Sequence, residues 1–214
     1  MIGLAIGLAD SAWAQDARNW PDKPVHVVVP LTAGSATDVM ARRVAKQLGE
    51  QLGQPFIVDN KPGADGTIGT GAVARAKAGG YSLLVQSASY TVTPITYPNT
   101  QYDTRRDLMG VTPLGLTEVL AGRVDYYPPR EIVQKLYAET AKAIESPELR
   151  AGMSQLGAEA SLAEPDAYNL QLKKDIADNA ALVKAAGIPI NGGQLGREWS
   201  WRQATGIAPS TRVR

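Results

Sequence analysis

The sequence predicts an α/β fold in which helices connect parallel strands. Three short apolar runs, at residues 25–29, 56–58 and 82–86, alternate with segments that have helical periodicity. Strand, helix, strand, helix, strand at this spacing is typical of a parallel unit with right-handed crossovers. The chain has 214 residues, enough for one large domain or for two lobes. Residues 20 to about 90 are therefore predicted to form one α/β lobe.

The first strand is predicted at Val25–Val29, after a proline-punctuated entry at Trp20–Pro24. Its residues are β-branched apart from His26 and show no polar alternation, a pattern that favours a strand buried on both faces. His26 is the only histidine of the chain. In such a strand we expect it to be a packed side chain and not a general base.

A helix is predicted to follow the turn at Thr32–Ser35 and to run to about Leu52, where Gly53 ends it. One face of this segment carries an apolar residue every four positions, which gives the helix a stripe to bury. The stripe consists of Met40, Val44, Leu48 and Leu52.

The second strand is predicted at Phe56–Val58 and the third at Ser82–Gln86, with an alanine-rich helix at Thr67–Lys77 between them. Gly69 and Gly71 superficially match a dinucleotide fingerprint. They lie inside this helix instead of at the strand-to-helix turn, and no acidic residue follows at the required distance. The match therefore indicates no cofactor site.

The second half of the chain predicts helices and a single strand. Leu116–Gly122 has the pattern of the end of a helix, and Arg123–Tyr127 that of a strand. Helices are predicted near 130–145, 147–156 and 165–186, the last two with a proline in the first turn. One strand among helices leaves backbone amides unpaired, so it must join the first sheet or be the remnant of a second lobe.

The N-terminal residues have features of a secretory signal. Met1–Leu8 is an apolar run, and Ala12-Trp13-Ala14 fits the small-x-small pattern before a cleavage point. The run is too short to span a membrane, and no basic residue precedes Arg18. We interpret residues 1–14 as a signal peptide remnant, the alternative being a frayed apolar N-terminus.

Composition excludes several classes of site. Lysine plus arginine is 22 and aspartate plus glutamate 21, so no charge excess favours nucleic acid or an acidic membrane surface. The chain contains no cysteine, which removes disulfides, thiolate catalysis and most zinc sites. No phosphate-binding loop, HExxH or GxSxG motif occurs. We expect no catalytic residues, no metal, no cofactor and no nucleic-acid partner.

The chemistry is expected in the loops that follow the three strands. In an open parallel sheet, ligands bind beyond the carboxyl ends of the strands, at a switch point in strand order. The loops at residues 30–38, 60–67 and 87–91 carry small residues and hydroxyls, and two of them open directly into helices. Exposed amides at helix N-termini suit an anion such as a carboxylate.

The same residues allow a structural interpretation. Ser35 and Asp38 have the spacing of a capping box, and Asp38 can pair with Arg42 one turn later. The glycines of the second loop can be turn formers, and Ser87 and Ser89 can simply end a strand. Both interpretations stay open at this point.

Four motifs resemble those of one family. They are WPDKPV from Trp20, AGxxTD from Ala33, NKPGAxG from Asn60 and GYSLL from Gly80. Together they resemble the Bug family, the substrate-binding proteins of tripartite tricarboxylate transporters, and the likeness covers residues 20–115.

The resemblance implies a type II periplasmic-binding fold of two lobes that holds a carboxylate-bearing metabolite through backbone amides, hydroxyls and bridging waters. It also implies a periplasmic monomer that delivers this ligand to the membrane subunits of a transporter. The implied ligand-facing residues lie in the three strand-end loops. They are Ala33, Gly34, Ser35, Thr37, Asp38, Gly66, Thr67, Ser87 and Ser89.

The sequence departs from the family where a second lobe is expected. Segments expected after Gly115 and after Tyr127 are missing, so we expect the first lobe to be largely intact and the second to be mostly missing. The predicted divisions are a first α/β lobe at 20–115, a remnant of the second lobe at 116–127, C-terminal helices packing on the first lobe at 128–188, and a poorly ordered tail at 189–214.

Three functional hypotheses follow from the sequence. The first is a solute-binding protein for a small carboxylate, and the second is a binding-incompetent fragment of the same family. The third is an α/β enzyme that uses Asp38.

Overall fold

The structure is a computed structural model that describes residues 19–115, 119–123, 130–188 and 190. Its strands are β1 (Val25–Val29), β2 (Phe56–Asn60), β3 (Ser82–Gln86), β4 (Leu108–Pro113) and β5 (Val119–Arg123). They form one five-stranded sheet in the order β2-β1-β3-β5-β4. β1 is parallel to β2 and β3, whereas β5 is antiparallel to β3 and β4. The predicted α/β class is confirmed, with a mixed sheet.

Helices cover both faces of this sheet. In the described residues they are α1 (Ala36–Leu52), α2 (Thr67–Ala74), α3 (Ser89–Thr96), α4 (Thr104–Asp107), α5 (Arg130–Glu145), α6 (Pro147–Gln155) and α7 (Pro165–Ala185). A 3-10 turn at Ala64–Gly66 precedes α2. No helix in these parts of the chain is both long and apolar enough to span a membrane.

The first half of the fold agrees closely with the sequence pattern. β1 and β3 have their predicted bounds, β2 continues to Asn60, and α2 ends at Ala74 instead of Lys77. α1 ends where glycine permits a left-handed residue, since Gly53 has φ 71° and donates its N–H to Gly49 O. The predicted apolar stripe of α1 faces the sheet, and Met40, Val44 and Leu48 are buried.

Two apolar cores lie on opposite faces of the sheet. One face of β1 and β3 packs against α1, α5 and α6, and its buried residues include Val27, Met40, Leu83, Leu136 and Met153. The other face packs against α2, α3 and α7, and its buried residues include Val28, Val73, Leu84, Tyr90 and Leu172. The sheet is thus the middle layer of three, which fixes where its carboxyl edge can open to solvent.

The expectation of a packed His26 is wrong. The side chain is 51% exposed, and Nδ1 lies 2.7 Å from Asp59 Oδ2 on the neighbouring strand. Side chains alternate along a strand, so His26 shares a face with Val28. Val28 is covered by Val73 and Ala74 of α2, and His26 is left uncovered.

The predicted helix end at Leu116–Gly122 is wrong over its described part. Residues 119–122 belong to β5, which lies between β3 and β4 and pairs with both. Leu120 and Ala121 favour helix in isolation, but pairing with the exposed edge of β3 decides the structure. β5 therefore belongs to the first sheet. Of the predicted strand at Arg123–Tyr127, only Arg123 lies within the described residues.

The C-terminal helices agree with prediction within a residue at each end, and Pro147 and Pro165 stand at their first turns. α7 closes the outer edge of β4. There, Asn169 Oδ1 accepts from Gly110 N at 2.9 Å, and Asn169 Nδ2 donates to Gly110 O at 2.7 Å. These two bonds satisfy an edge-strand residue that would otherwise expose unpaired backbone. Residues 1–14 and, apart from Ile190, the tail at 189–214 lie outside the described residues.

Candidate functional site

The three strand-end loops meet at one edge of the sheet. β1 is flanked by β2 on one side and by β3 on the other, and all three run in the same direction. The chain passes from β1 to β2 on one side and then crosses to β3 on the other side of β1. The boundary between β1 and β3 is therefore the switch point in strand order. We use "the rim" for the loops at residues 30–38, 60–67 and 87–91.

The first loop of the rim caps its own helix. Asp38 N donates to Ser35 Oγ at 3.2 Å, as a capping box requires. The carboxylate of Asp38 reaches back one residue further than in the standard box and accepts from Gly34 N at 2.8 Å. The structural interpretation of Ser35 and Asp38 is confirmed by these contacts.

Asp38 also ties the first loop to the second. Its side chain is 3% exposed, and it accepts from Arg42 Nε at 3.0 Å and from Asn60 Nδ2 at 2.8 Å. Asn60 Nδ2 also donates to Leu31 O at 3.1 Å, and Asn60 Oδ1 accepts from Arg42 Nη2 at 2.8 Å. We call Ser35, Asp38, Arg42 and Asn60 the capped corner.

The capped corner keeps Asp38 ionised. Burial alone would raise the pKa of Asp38, but hydrogen bonds from Arg42, Gly34 N and Asn60, together with the guanidinium charge, hold the pKa below its usual value. Its oxygens already accept from three donors, so they are poorly placed to take a proton from a substrate. This geometry argues against the hypothesis of an enzyme that uses Asp38 as a base.

The second loop brings the backbone close to the end of β3. Gly66, the residue before α2, is buried and has φ 87°. A Cβ at Gly66 would lie 2.3 Å from Gln86 Nε2 and 3.5 Å from Pro30 Cβ. Within the described residues the first turn of α2 has no side-chain cap.

The third loop, like the second, leads into a helix that no described side chain caps. α3 begins at Ser89 without a side-chain cap from any described residue, so this loop too opens directly into a helix. Ser87 Oγ and Ser89 Oγ lie 3.0 Å apart, and Ser87 N donates to Gln86 Oε1 at 3.1 Å. We call Gly66, Gln86, Ser87 and Ser89 the open corner.

The predicted site residues differ in their access to solvent. Ala33 and Gly34 are exposed, and Ser35, Thr67, Ser87 and Ser89 are half-buried. Thr37, Asp38 and Gly66 are buried. The structure brings all nine residues to the same rim, and their role in ligand binding stays a prediction.

Sequence reasoning missed two residues that organise the rim. Asn60 joins the first two loops, and Gln86 joins the second and third. Gln86 is the last residue of the predicted third strand, and Asn60 lies two residues after the predicted second strand. A polar residue at or just after a strand end is the signal that could have found them.

The rim is chemically suited to an anion. Three helix N-termini open at one sheet edge, and each presents amides that lack an intrahelical partner together with about half a positive charge. Hydroxyls of Ser87 and Ser89 add donors. No cluster of three or more histidine, cysteine, aspartate or glutamate side chains suited to a metal ion occurs in the described residues.

Comparison with known families finds a match over part of the chain. Residues 40–128 match the family described as tripartite tricarboxylate transporter family receptor. Over these residues the chain is similar to this receptor family. The match agrees with the resemblance inferred from the sequence motifs.

Curated relatives match about half of the chain. It is 44% identical over 108 residues to a UPF0065 protein of Bordetella bronchiseptica, covering 50% of this chain and 32% of that protein. It is 40% identical over 117 residues to Protein BugT of Bordetella pertussis, covering 54% of this chain and 36% of that protein. The chain thus spans about a third of the length of these relatives.

Solved structures of periplasmic binding proteins show the same fold. The structure titled periplasmic binding protein BugD matches with a TM-score of 0.71 and 20% identity, covering 79% of this chain and 99% of that one. R. palustris Rpa4515 with adipate matches with a TM-score of 0.72 and 17% identity, covering 78% of this chain and 98% of that one. MatC from Rhodopseudomonas palustris with bound malate matches with a TM-score of 0.66 and 16% identity, covering 77% of this chain and 100% of that one. These likenesses confirm the predicted type II periplasmic-binding class.

Proposed function

We propose that the chain is a periplasmic solute-binding protein that receives a small carboxylate at the rim and delivers it to membrane subunits of a tripartite tricarboxylate transporter. The observation that carries this proposal is the meeting of three strand-end loops at the β1/β3 switch point. The similarity of residues 40–128 to the receptor family supports the transport role.

Backbone amides make the rim a receptor for acceptor atoms. The α2 and α3 N-termini have no side-chain cap from any described residue. Thr67 N, Tyr90 N and Thr91 N donate to backbone oxygens of the preceding loops, and a ligand carboxylate can accept from the amides that remain. The one buried carboxylate at the rim, Asp38, is paired with Arg42 and does not confront the ligand with an uncompensated negative charge. Bridging waters can complete the hydrogen bonds that the loops leave unmade.

The neighbouring structures point to dicarboxylates. Two structural neighbours, Rpa4515 with adipate and MatC with bound malate, hold small dicarboxylates. All strands of the described residues belong to one sheet, so the ligand contacts one wall and stays partly hydrated. We therefore expect a dissociation constant of about 0.1–1 mM, weaker than for an enclosed site.

Calorimetric titration of the full chain with adipate and malate tests this proposal. Saturable binding of both is expected, with no binding of putrescine, a dication of similar length. The double variant S87A/S89A should weaken binding, whereas S154A, which changes an exposed serine on α6, should not. Silence for both dicarboxylates from protein that is folded by circular dichroism contradicts the proposal.

A second candidate is a folded domain that does not bind. The observation that favours it is the single sheet of the described residues, which leaves the rim without a facing wall. Its signature is a low, broad thermal transition that no dicarboxylate raises. A sharp transition raised by malate rejects this candidate.

A further inference from the structure

We propose that Gln86 is a ligand-binding and specificity-determining residue whose side-chain amide nitrogen donates to the ligand carboxylate. This inference rests on the proposed function. It assigns a side-chain amide donor to the open corner, whose other donors are backbone amides and serine hydroxyls.

The orientation of the Gln86 side chain is fixed by its own backbone. Oε1 accepts from Ser87 N at 3.1 Å, so Nε2 must point the other way. That direction leads to Gly66, where a Cβ would lie only 2.3 Å from Nε2. The amide group therefore lies between the second and third loops, at the N-terminal end of α2.

Gln86 is buried, and its side-chain amide nitrogen donates no hydrogen bond to a described residue. The residue is 1% exposed, and no described residue accepts a hydrogen bond from Nε2. Nε2 is not among the fully buried side-chain atoms that lack a partner in the described residues, so water can reach it at the rim. A carboxylate seated on the open corner supplies the acceptor.

The chemistry of Nε2 predicts selectivity. An amide NH₂ only donates, so it favours carboxylate oxygens and disfavours ammonium groups. Gln86 is the last residue of β3, a strand whose other buried positions are Leu83, Leu84 and Val85. The strand holds the donor rigidly, so it discriminates between ligands better than a donor on a mobile loop.

The test replaces the donor and keeps the shape. In Gln86→Glu, one oxygen can still accept from Ser87 N while the other faces the ligand where Nε2 stood. We expect the affinity for malate to fall by about 10- to 100-fold, because a hydrogen bond to a charged group is exchanged for repulsion. The matched control is Gln134→Glu, which makes the same change of charge at an exposed position of α5 and should bind as the wild type does.

A second measurement uses the unaltered protein. In ¹⁵N-glutamine-labelled wild type, the side-chain NH₂ resonances of Gln86, assigned by their loss in Gln86→Met, should shift on addition of malate. This readout stands even if Gln86→Glu fails to fold, and a purely structural role would not produce it.

The outcomes separate the two proposals. Binding of malate by the wild type, with neither an effect of Gln86→Glu nor a shift of the Gln86 NH₂, overturns the role of Gln86 and leaves the proposed function intact. A folded wild type that binds neither malate nor adipate overturns both.

Discussion

The two corners of the rim differ in whether side chains cap the helices that begin there. At the capped corner, Ser35 Oγ accepts from Asp38 N in the first turn of α1, and the Asp38 carboxylate accepts from Gly34 N in the loop before the helix. At the open corner, α2 and α3 begin without a side-chain cap from any described residue. The polar groups of the capped corner are paired within the protein, whereas the open corner has hydrogen-bond donors that a ligand can use.

This difference separates stability from binding. The capped corner joins Asp38, Arg42 and Asn60 across two loops, and its hydrogen bonds are internal. The open corner contains a donor on a buried residue, Gln86 Nε2, whose partner is not found among the described residues. Changes at the capped corner should therefore lower stability first, whereas changes at the open corner should lower affinity as well.

The largest effect is expected from Gly66→Ala. Alanine at φ 87° is strained, and its Cβ would lie 2.3 Å from Gln86 Nε2. Together these effects should cost about 2–4 kcal/mol of unfolding free energy and weaken malate binding. Chemical denaturation and calorimetry measure the two quantities.

The control for Gly66→Ala is Gly157→Ala. Gly157 has φ 66°, and no atom lies within 4 Å of the position of its Cβ. It should show only the backbone term, about 1–2 kcal/mol, with unchanged affinity. Equal losses of stability in the two variants would mean that the close approach of Gly66 to Gln86 has no energetic weight.

A smaller effect is expected from Asp38→Asn. At pH 7 it should lower the unfolding free energy by about 2 kcal/mol, because the carboxylate that accepts from Gly34, Arg42 and Asn60 is lost. The affinity for malate should change less than in Gln86→Glu, since Asp38 is internal to the capped corner.

The same variant carries a signature in pH. The folded-state pKa of Asp38 is lowered, so its contribution is fully present above the unfolded-state pKa of about 4 and disappears as the pH falls through the folded-state pKa. The difference in stability between wild type and Asp38→Asn should therefore be constant near pH 7 and shrink below about pH 4. A difference that persists unchanged in acid would show that ionisation of Asp38 is not what stabilises the corner.

The sequence predicts the local parts of this picture well. Local contacts determine the cap at Ser35, the helix end at Gly53 and the proline starts of α6 and α7. Because each involves residues close in sequence, the local sequence pattern predicts them. The three strand-end loops follow from the same local periodicity. For this reason the rim could be located before any contact across the sheet was known.

Features that depend on distant pairing were beyond prediction. β5 has a helix-favouring pattern, and only its place between β3 and β4 makes it a strand. His26 is exposed because α2 ends at Ala74, a fact about packing and not about the strand itself. The contact of Asn60 with Asp38 and the approach of Gln86 to Gly66 likewise require knowing which strands are neighbours.

Amide chemical-shift mapping with malate tests the central claim most directly, because it reports every corner of the rim at once. Our account predicts that the largest shifts fall on residues 66–68 and 86–89 at the open corner, with smaller shifts at residues 34–38. The N-terminus of α6, capped by Ser146 and remote in the fold from the strand-end loops, is the internal control and should not respond. Shifts of equal size at α6 and at the open corner, or shifts confined to residues outside the rim, would contradict the account.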